Sequence, residues 1–144
     1  MPGILLTTDL SNESKRAFAP VRVLAQKLGL DVTLLAVVED VLFEATAGGL
    51  MAVYPDRTRI RRDWEAALAG LADEFGRDVC RNAVVVEAAD VPRAICEHAQ
   101  REHCDYIAMA THGRSGLRRL LLGSIAEQVV RHSPVPILLY PPSA

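Results

Sequence analysis

The sequence predicts an α/β domain, an open sheet of five parallel strands covered by helices on both faces. Three observations carry that expectation. Apolar runs rich in β-branched residues recur along the chain, segments of helical period alternate with them, and no linker or internal repeat intervenes. The strand candidates are Ile4–Thr8, Val32–Val38, Ala83–Glu87, Tyr106–Ala110 and Pro136–Tyr140. Most are continuous in hydrophobicity rather than alternating, as parallel strands buried on both faces require. At 144 residues the chain has the length of a single domain, 1–144, with apolar residues enough for one core.

Each helix has its own start and stop. Ser11 is placed to cap the first, which carries Phe18, Val21, Leu24 and Leu28 at spacings of three and four and stops at Gly29. Pro20 lies inside that pattern, so a kink or a distorted first half is expected. Asp56 caps a long second helix with the stripe Ile60, Trp64, Leu68, Leu71 and Phe75, closed by Gly76. Asp90, with Pro92 behind it, opens a third that runs towards His103. A fourth starts at Gly123-Ser124, buries Ile125 and Val129, and must end before Pro134. Right-handed crossovers through these helices return the chain for each parallel strand. One connection is long: the stretch from Val41 to Pro55, with Gly48-Gly49 and scattered apolar residues. A lid, a partner surface and a disordered segment are all open readings of it.

Composition excludes several classes. Net charge is -2 and the sequence pI about 6.1, so no overall positive field exists to hold nucleic acid or an anionic membrane. No apolar run approaches the roughly 20 residues a membrane span needs, and the opening Met1-Pro2-Gly3 reads as no signal peptide. Cys80, Cys96 and Cys104 are odd in number and form no C-x-x-C pair. They read as small core residues, and a cytoplasmic location is expected. His98, His103 and His132 lack ligand spacing and read as surface.

In an open α/β sheet, ligands bind beyond the carboxyl ends of the strands, where strand order reverses. The end of the first strand is Thr7-Thr8-Asp9, and that of the fourth is Met109-Ala110-Thr111-His112-Gly113. Gly113-Arg114-Ser115-Gly116 makes a turn in which backbone can approach a ligand. Ten residues after Gly113, Gly123-Ser124 opens the last helix, whose N-terminal N–H groups and dipole suit an anion. The competing reading is that the glycines only turn the chain and Ser124 only caps. No G-x-x-x-x-G-K-[ST] is present, and no G-x-G-x-x-G follows the first strand.

The run Tyr106-Ile107-Ala108-Met109-Ala110-Thr111-His112-Gly113-Arg114, then Leu121-Leu122-Gly123-Ser124-Ile125-Ala126-Glu127-Gln128-Val129, then Ser133-Pro134-Val135-Pro136-Ile137-Leu138, resembles the universal stress protein family. Its nucleotide-binding branch has the pattern G-x-x-G-x(9)-G-[ST], matched here by Gly113 and Gly123-Ser124, with Ala110 at the first glycine. A second departure is Asp90, where the family often has glycine. The resemblance covers the whole chain and implies a Rossmann-like sheet in order 3-2-1-4-5. It implies ATP or AMP at the ends of strands 1 and 4; whether Mg²⁺ accompanies ATP is an open reading. Position by position, Thr8, Asp9 and the backbone of Val37 fall on the adenosine side, with Met109 and Ala110 at the ribose. His112, Gly113, Gly123, Ser124 and Ile125 fall at the phosphates, with Arg114 and Gly116 in the same turn. It also implies a homodimer through the last strand, Val135 to Tyr140.

Three functions follow as alternatives: a regulatory nucleotide-binding module, a slow ATPase or nucleotide hydrolase, and an interaction protein with an empty pocket. Asp9 and His112 are the local candidates for hydrolysis, and no nucleophile or paired carboxylate accompanies His112. Nucleic acid and membrane are not expected partners.

Overall fold

The computed structural model describes residues 3–40, 56–112 and 122–141. Its strands are β1 (Gly3–Thr7), β2 (Asp31–Glu39), β3 (Cys80–Ala88), β4 (Tyr106–Ala110) and β5 (Ile137–Tyr140). Its helices are α1 (Phe18–Leu28), α2 (Arg57–Phe75), α3 (Val91–Arg101) and α4 (Ser124–His132), with a short 3-10 turn at Ser14–Ala17. The strands form one sheet in order β3-β2-β1-β4-β5, and every pairing is parallel. The open parallel sheet is what the element pattern of the sequence implies, and its strand order is what the resemblance implies. The expectations for Val41 to Pro55 lie outside the described residues.

Continuous apolar strands serve two cores at once, because successive side chains leave opposite faces of a sheet. Ile4, Leu6, Leu34, Ala36 and Ala108 pack beneath α1 and α2, against Val21, Ala25, Leu68 and Phe75. Leu5, Leu35, Ile107 and Met109 pack beneath α3 and α4, against Ile95, Ala99, Ala126 and Val129. β1, the middle strand, is buried along its whole length.

The N-caps of α2 and α3 and the glycine stops of α1 and α2 follow the sequence. Asp56 accepts the N–H of Arg59 at 3.2 Å, and Asp90 accepts that of Arg93 at 3.1 Å. Gly29 and Gly76 end α1 and α2 with φ of 67° and 111°, values that favour glycine. Arg22 reaches from α1 to the turn after α2, donating to the carbonyl of Phe75 and to both carboxylate oxygens of Asp78.

Four expectations need correction. Leu28 is half exposed, and the buried stripe of the first helical region is Ala17, Val21 and Ala25, one step round the helix. Ile125 is exposed, and α4 buries Ala126 and Val129 instead. His98 is buried beside Ile95 and Ala99, with Nδ1 against Nη2 of Arg101 at 3.0 Å. Pro20 does not kink a long helix: the chain enters through the 3-10 turn, and Pro20 then falls in the first turn of α1, where a missing N–H costs nothing.

The two sheet edges differ. On β3 the register slips beside Val32 and Thr33, leaving Arg81 unmatched between Cys80 and Asn82. Arg81 pairs with Asp31, and Arg61 from α2 donates to the edge-strand carbonyl of Val85 at 3.3 Å. On β5 the four residues Ile137–Tyr140 are half-buried, and Pro136 precedes them.

Candidate functional site

Strand order reverses beside β1, which has β2 on one side and β4 on the other. The helices after β1 and β4 lie on opposite faces, so their departing chains open a crevice at the carboxyl ends of these two strands. Both predicted half-sites fall at that end of the sheet.

The β1 half is made by Thr8 to Ser14. The N–H of Thr8 continues the ladder to the carbonyl of Leu35 at 2.9 Å. The chain then turns through Leu10, which has a φ of 68°. Asp9 stands at the rim, half-buried, with Oδ1 accepting the backbone N–H and the hydroxyl of Ser11. Ser11 Oγ accepts the N–H of Ser14, so it caps the turn that leads into the 3-10 segment rather than α1 itself.

The β4 half is made by Met109 to His112 and by the start of α4. The Gly123 N–H donates to the carbonyl of Thr111 at 2.7 Å, and its own carbonyl accepts the first helical N–H, from Glu127. A Cβ on Gly123 would sit 2.9 Å from that Thr111 oxygen. The glycine is thus required by a close approach of backbone to backbone, and it fixes where the N-terminus of α4 stands. Ser124 and Ile125 are exposed there. The Met109 side chain is in the core under α3 and α4, so toward the crevice this residue offers backbone only. Ala110 pairs with Tyr140 at the end of the strand. His112 is buried, with Nδ1 against the Thr111 hydroxyl at 3.0 Å. Val37 lies on the α3 side of β2, half-buried, its partner on β3 being Val86. Gly113, Arg114 and Gly116 lie outside the described residues.

Sequence reasoning missed two contributors, Ser14 and Thr111. Ser14 bonds to Thr8 six residues earlier, a pairing no periodicity marks. Thr111 acts through its backbone carbonyl, which any residue could supply. Burial pushes the thiols of Cys80, Cys96 and Cys104 up from their ordinary value, so none is an activated nucleophile. Among the described residues no group of three or more His, Cys, Asp or Glu side chains is placed to hold a metal. No helix among them is long and apolar enough to cross a membrane.

Comparison with known proteins gives the family directly. The model of the universal stress protein family matches residues 2–141. The chain belongs to that family. A universal stress protein of Thermus aquaticus, named for its position beside a QAH/OAS sulfhydrylase, is 30% identical over 139 residues, covering 94% of this chain and 96% of that one. A universal stress protein of Methanocaldococcus jannaschii is 44% identical over 45 residues, which span 31% of this chain and only 26% of that relative. Among solved structures, the protein MJ0577 superposes with a TM-score of 0.78 at 20% identity, covering 99% of this chain and 97% of that one. A universal stress protein family member of Arabidopsis thaliana, solved with AMP bound, gives a TM-score of 0.65 at 18% identity, covering 100% and 93%. At such identities these structures establish the universal stress protein fold for the chain.

Proposed function

We propose that the protein binds an adenine nucleotide, ATP or AMP, in the crevice between the ends of β1 and β4. The observation that carries this reading is the seat of α4. The Gly123 N–H rests on the Thr111 carbonyl with no room for a Cβ, which holds a helix N-terminus at the mouth of a topological switch point. That end presents unpaired N–H groups and positive dipole, a seat for phosphate. Family membership supports the same assignment, as does the AMP of the Arabidopsis relative.

In this reading Thr8, Asp9 and the backbone of Val37 face the adenosine, while Met109 and Ala110 line the ribose with backbone and one methyl group. Gly123, Ser124 and Ile125, with His112, Gly113, Arg114 and Gly116, surround the phosphates. Mg²⁺ accompanying ATP would be held by phosphate oxygens and water, its usual mode with few protein ligands. The protein then acts as a regulatory module of a stress response, through a homodimer joined at Val135 to Tyr140 or through other partners. A reducing cytoplasm suits its free cysteines.

The test is direct. Denaturing the purified protein should release ATP or AMP, and added ATP at a hundredfold excess over Kd should stabilise it by about 2.7 kcal/mol, read as a rise in Tm. Neither release nor a rise would favour an interaction protein with an empty pocket.

A further inference from the structure

One helix carries its charges against its own dipole. Behind the Asp56 cap, α2 begins with Arg57, Arg59, Arg61 and Arg62, and no acid stands in its first turn. Its last turn holds Asp73 and Glu74 and no base. A helix favours the reverse, acids at the amino end and bases at the carboxyl end. Some of these charges are used within the chain. Arg57 pairs with Asp40, Arg61 with Glu65 and Glu87, and Asp73 gives Oδ1 to Arg77. Among the described residues Arg59, Arg62 and Glu74 form no ion pair, and all three are exposed.

The outer face of α2 joins these two ends. Leu68, Leu71, Ala72 and Phe75 are buried against the sheet. At about 3.6 residues per turn, the opposite side carries Arg59, Arg62, Ala66, Gly70 and Asp73, all exposed. Gly70 stands in the helix interior with open space where a Cβ would go. Glycine there weakens the helix and relieves no contact within the chain, but it lets another backbone come close. From the middle of this face, Arg59 and Glu74 lie on one flank and Arg62 and Asp73 on the other. A two-fold axis across an antiparallel helix pair sets each flank against the same flank of the second copy. The midpoints of Arg59–Glu74, Arg62–Asp73 and Ala66–Gly70 all lie between residues 66 and 68. One axis there brings each of these arginines to an acid, while Asp63 falls opposite Gly70 and meets no like charge.

We infer that the outer face of α2 is a docking surface for the same face of a second copy of this chain, packed antiparallel, with Arg59 against Glu74 and Arg62 against Asp73. Antiparallel packing also sets the two helix dipoles in opposition, so each end meets the opposite partial charge. With 19 residues α2 is about 28 Å long, and one helix pair of that length falls at the small end of specific interfaces. The pair is therefore weak, and its register comes from charge. It uses neither edge of the sheet and does not depend on a nucleotide in the crevice.

The experiment swaps the charges. One variant combines Arg59→Glu with Arg62→Glu, and the other combines Asp73→Arg with Glu74→Arg. Each alone sets like charges across the axis, and sedimentation should show self-association weakened about tenfold or more against wild type. Mixed in equal amounts, the two variants regain every attraction, and energy transfer between separately labelled copies should report a mixed pair of wild-type affinity. Added sodium chloride should weaken the wild-type pair and the mixed pair alike, as screening shortens the reach of the charges. Gly70→Gln, which enters open space, should keep the fold by circular dichroism and weaken association by holding the helices apart. A mixture no tighter than either variant alone overturns the proposal, as does a wild-type protein that does not self-associate. Self-association unchanged in both variants also overturns it, and is the result expected of copies that meet only along β5.

Discussion

At the end of β1 the rim of the crevice is built from side chains, whereas at the end of β4 it is built from backbone. On the first side three hydroxyls and a carboxylate close a loop around a strained leucine. On the second, the Gly123 N–H and the Thr111 carbonyl meet with no side chain between them. The two halves therefore respond differently to change. A hydroxyl can be replaced by another hydroxyl at small cost, but nothing larger than hydrogen fits at position 123 without moving α4. In the proposed reading, the adjustable side meets the nucleoside and the rigid side seats the phosphates.

The largest expected effect breaks the rigid half. Gly123→Val should abolish nucleotide binding in calorimetric titration and cost about 1–3 kcal/mol of stability, the scale of overpacking a close contact. A variant that keeps wild-type affinity would remove the phosphates from this helix end. Next comes the adjustable half. Ser14→Ala strips the Thr8 hydroxyl of its acceptor in a buried site, and denaturant unfolding should record a loss of about 1–3 kcal/mol. Its nucleotide affinity should fall far less than in Gly123→Val, which is the comparison in its sharpest form.

The smallest effect belongs to neither half. Burial, then the nearby Arg101 charge, holds the His98 imidazole below its ordinary 6.5. The unfolded chain therefore takes up a proton first as pH falls. The stability associated with neutral His98 is complete above 6.5 and declines as pH drops from there towards the lowered folded value. His98→Gln should flatten that part of the stability profile and leave nucleotide affinity unchanged. A matching fall in affinity would mean the α3 face reaches the crevice.

The sequence reveals the parts of this fold that have strong local chemistry. Asp56 and Asp90 cap where their side chains can reach the third N–H, and Gly29 and Gly76 stop helices where φ turns positive. Unbroken apolar strands announce a sheet covered twice. Leu28, Ile125 and His98 go astray for one shared reason: helical period gives the direction of a face but not where its covering layer ends. Leu28 is the last residue of α1 and half exposed, Ile125 is exposed at the start of α4, and His98 falls within the wide buried arc of α3. At the site, the glycine spacing marks Gly123 but not the Thr111 carbonyl that makes it necessary. The Thr8–Ser14 bond spans six residues through a left-handed turn, a pairing that no local pattern marks.

The unequal edges of the sheet bear on how many copies can join. A parallel strand added to β3 would meet the unmatched Arg81 and a carbonyl already taken by Arg61, devices that discourage pairing. Among the described residues, that leaves the β5 side to receive a neighbour by strand addition. Two molecules joined there would each present a guarded edge outward, so an assembly of that kind would have a valence of one and terminate as a pair. In such a pair, growth into a ribbon, the hazard of any sheet with two receptive edges, would be hindered by Arg61 and Arg81 on the opposite side from the join.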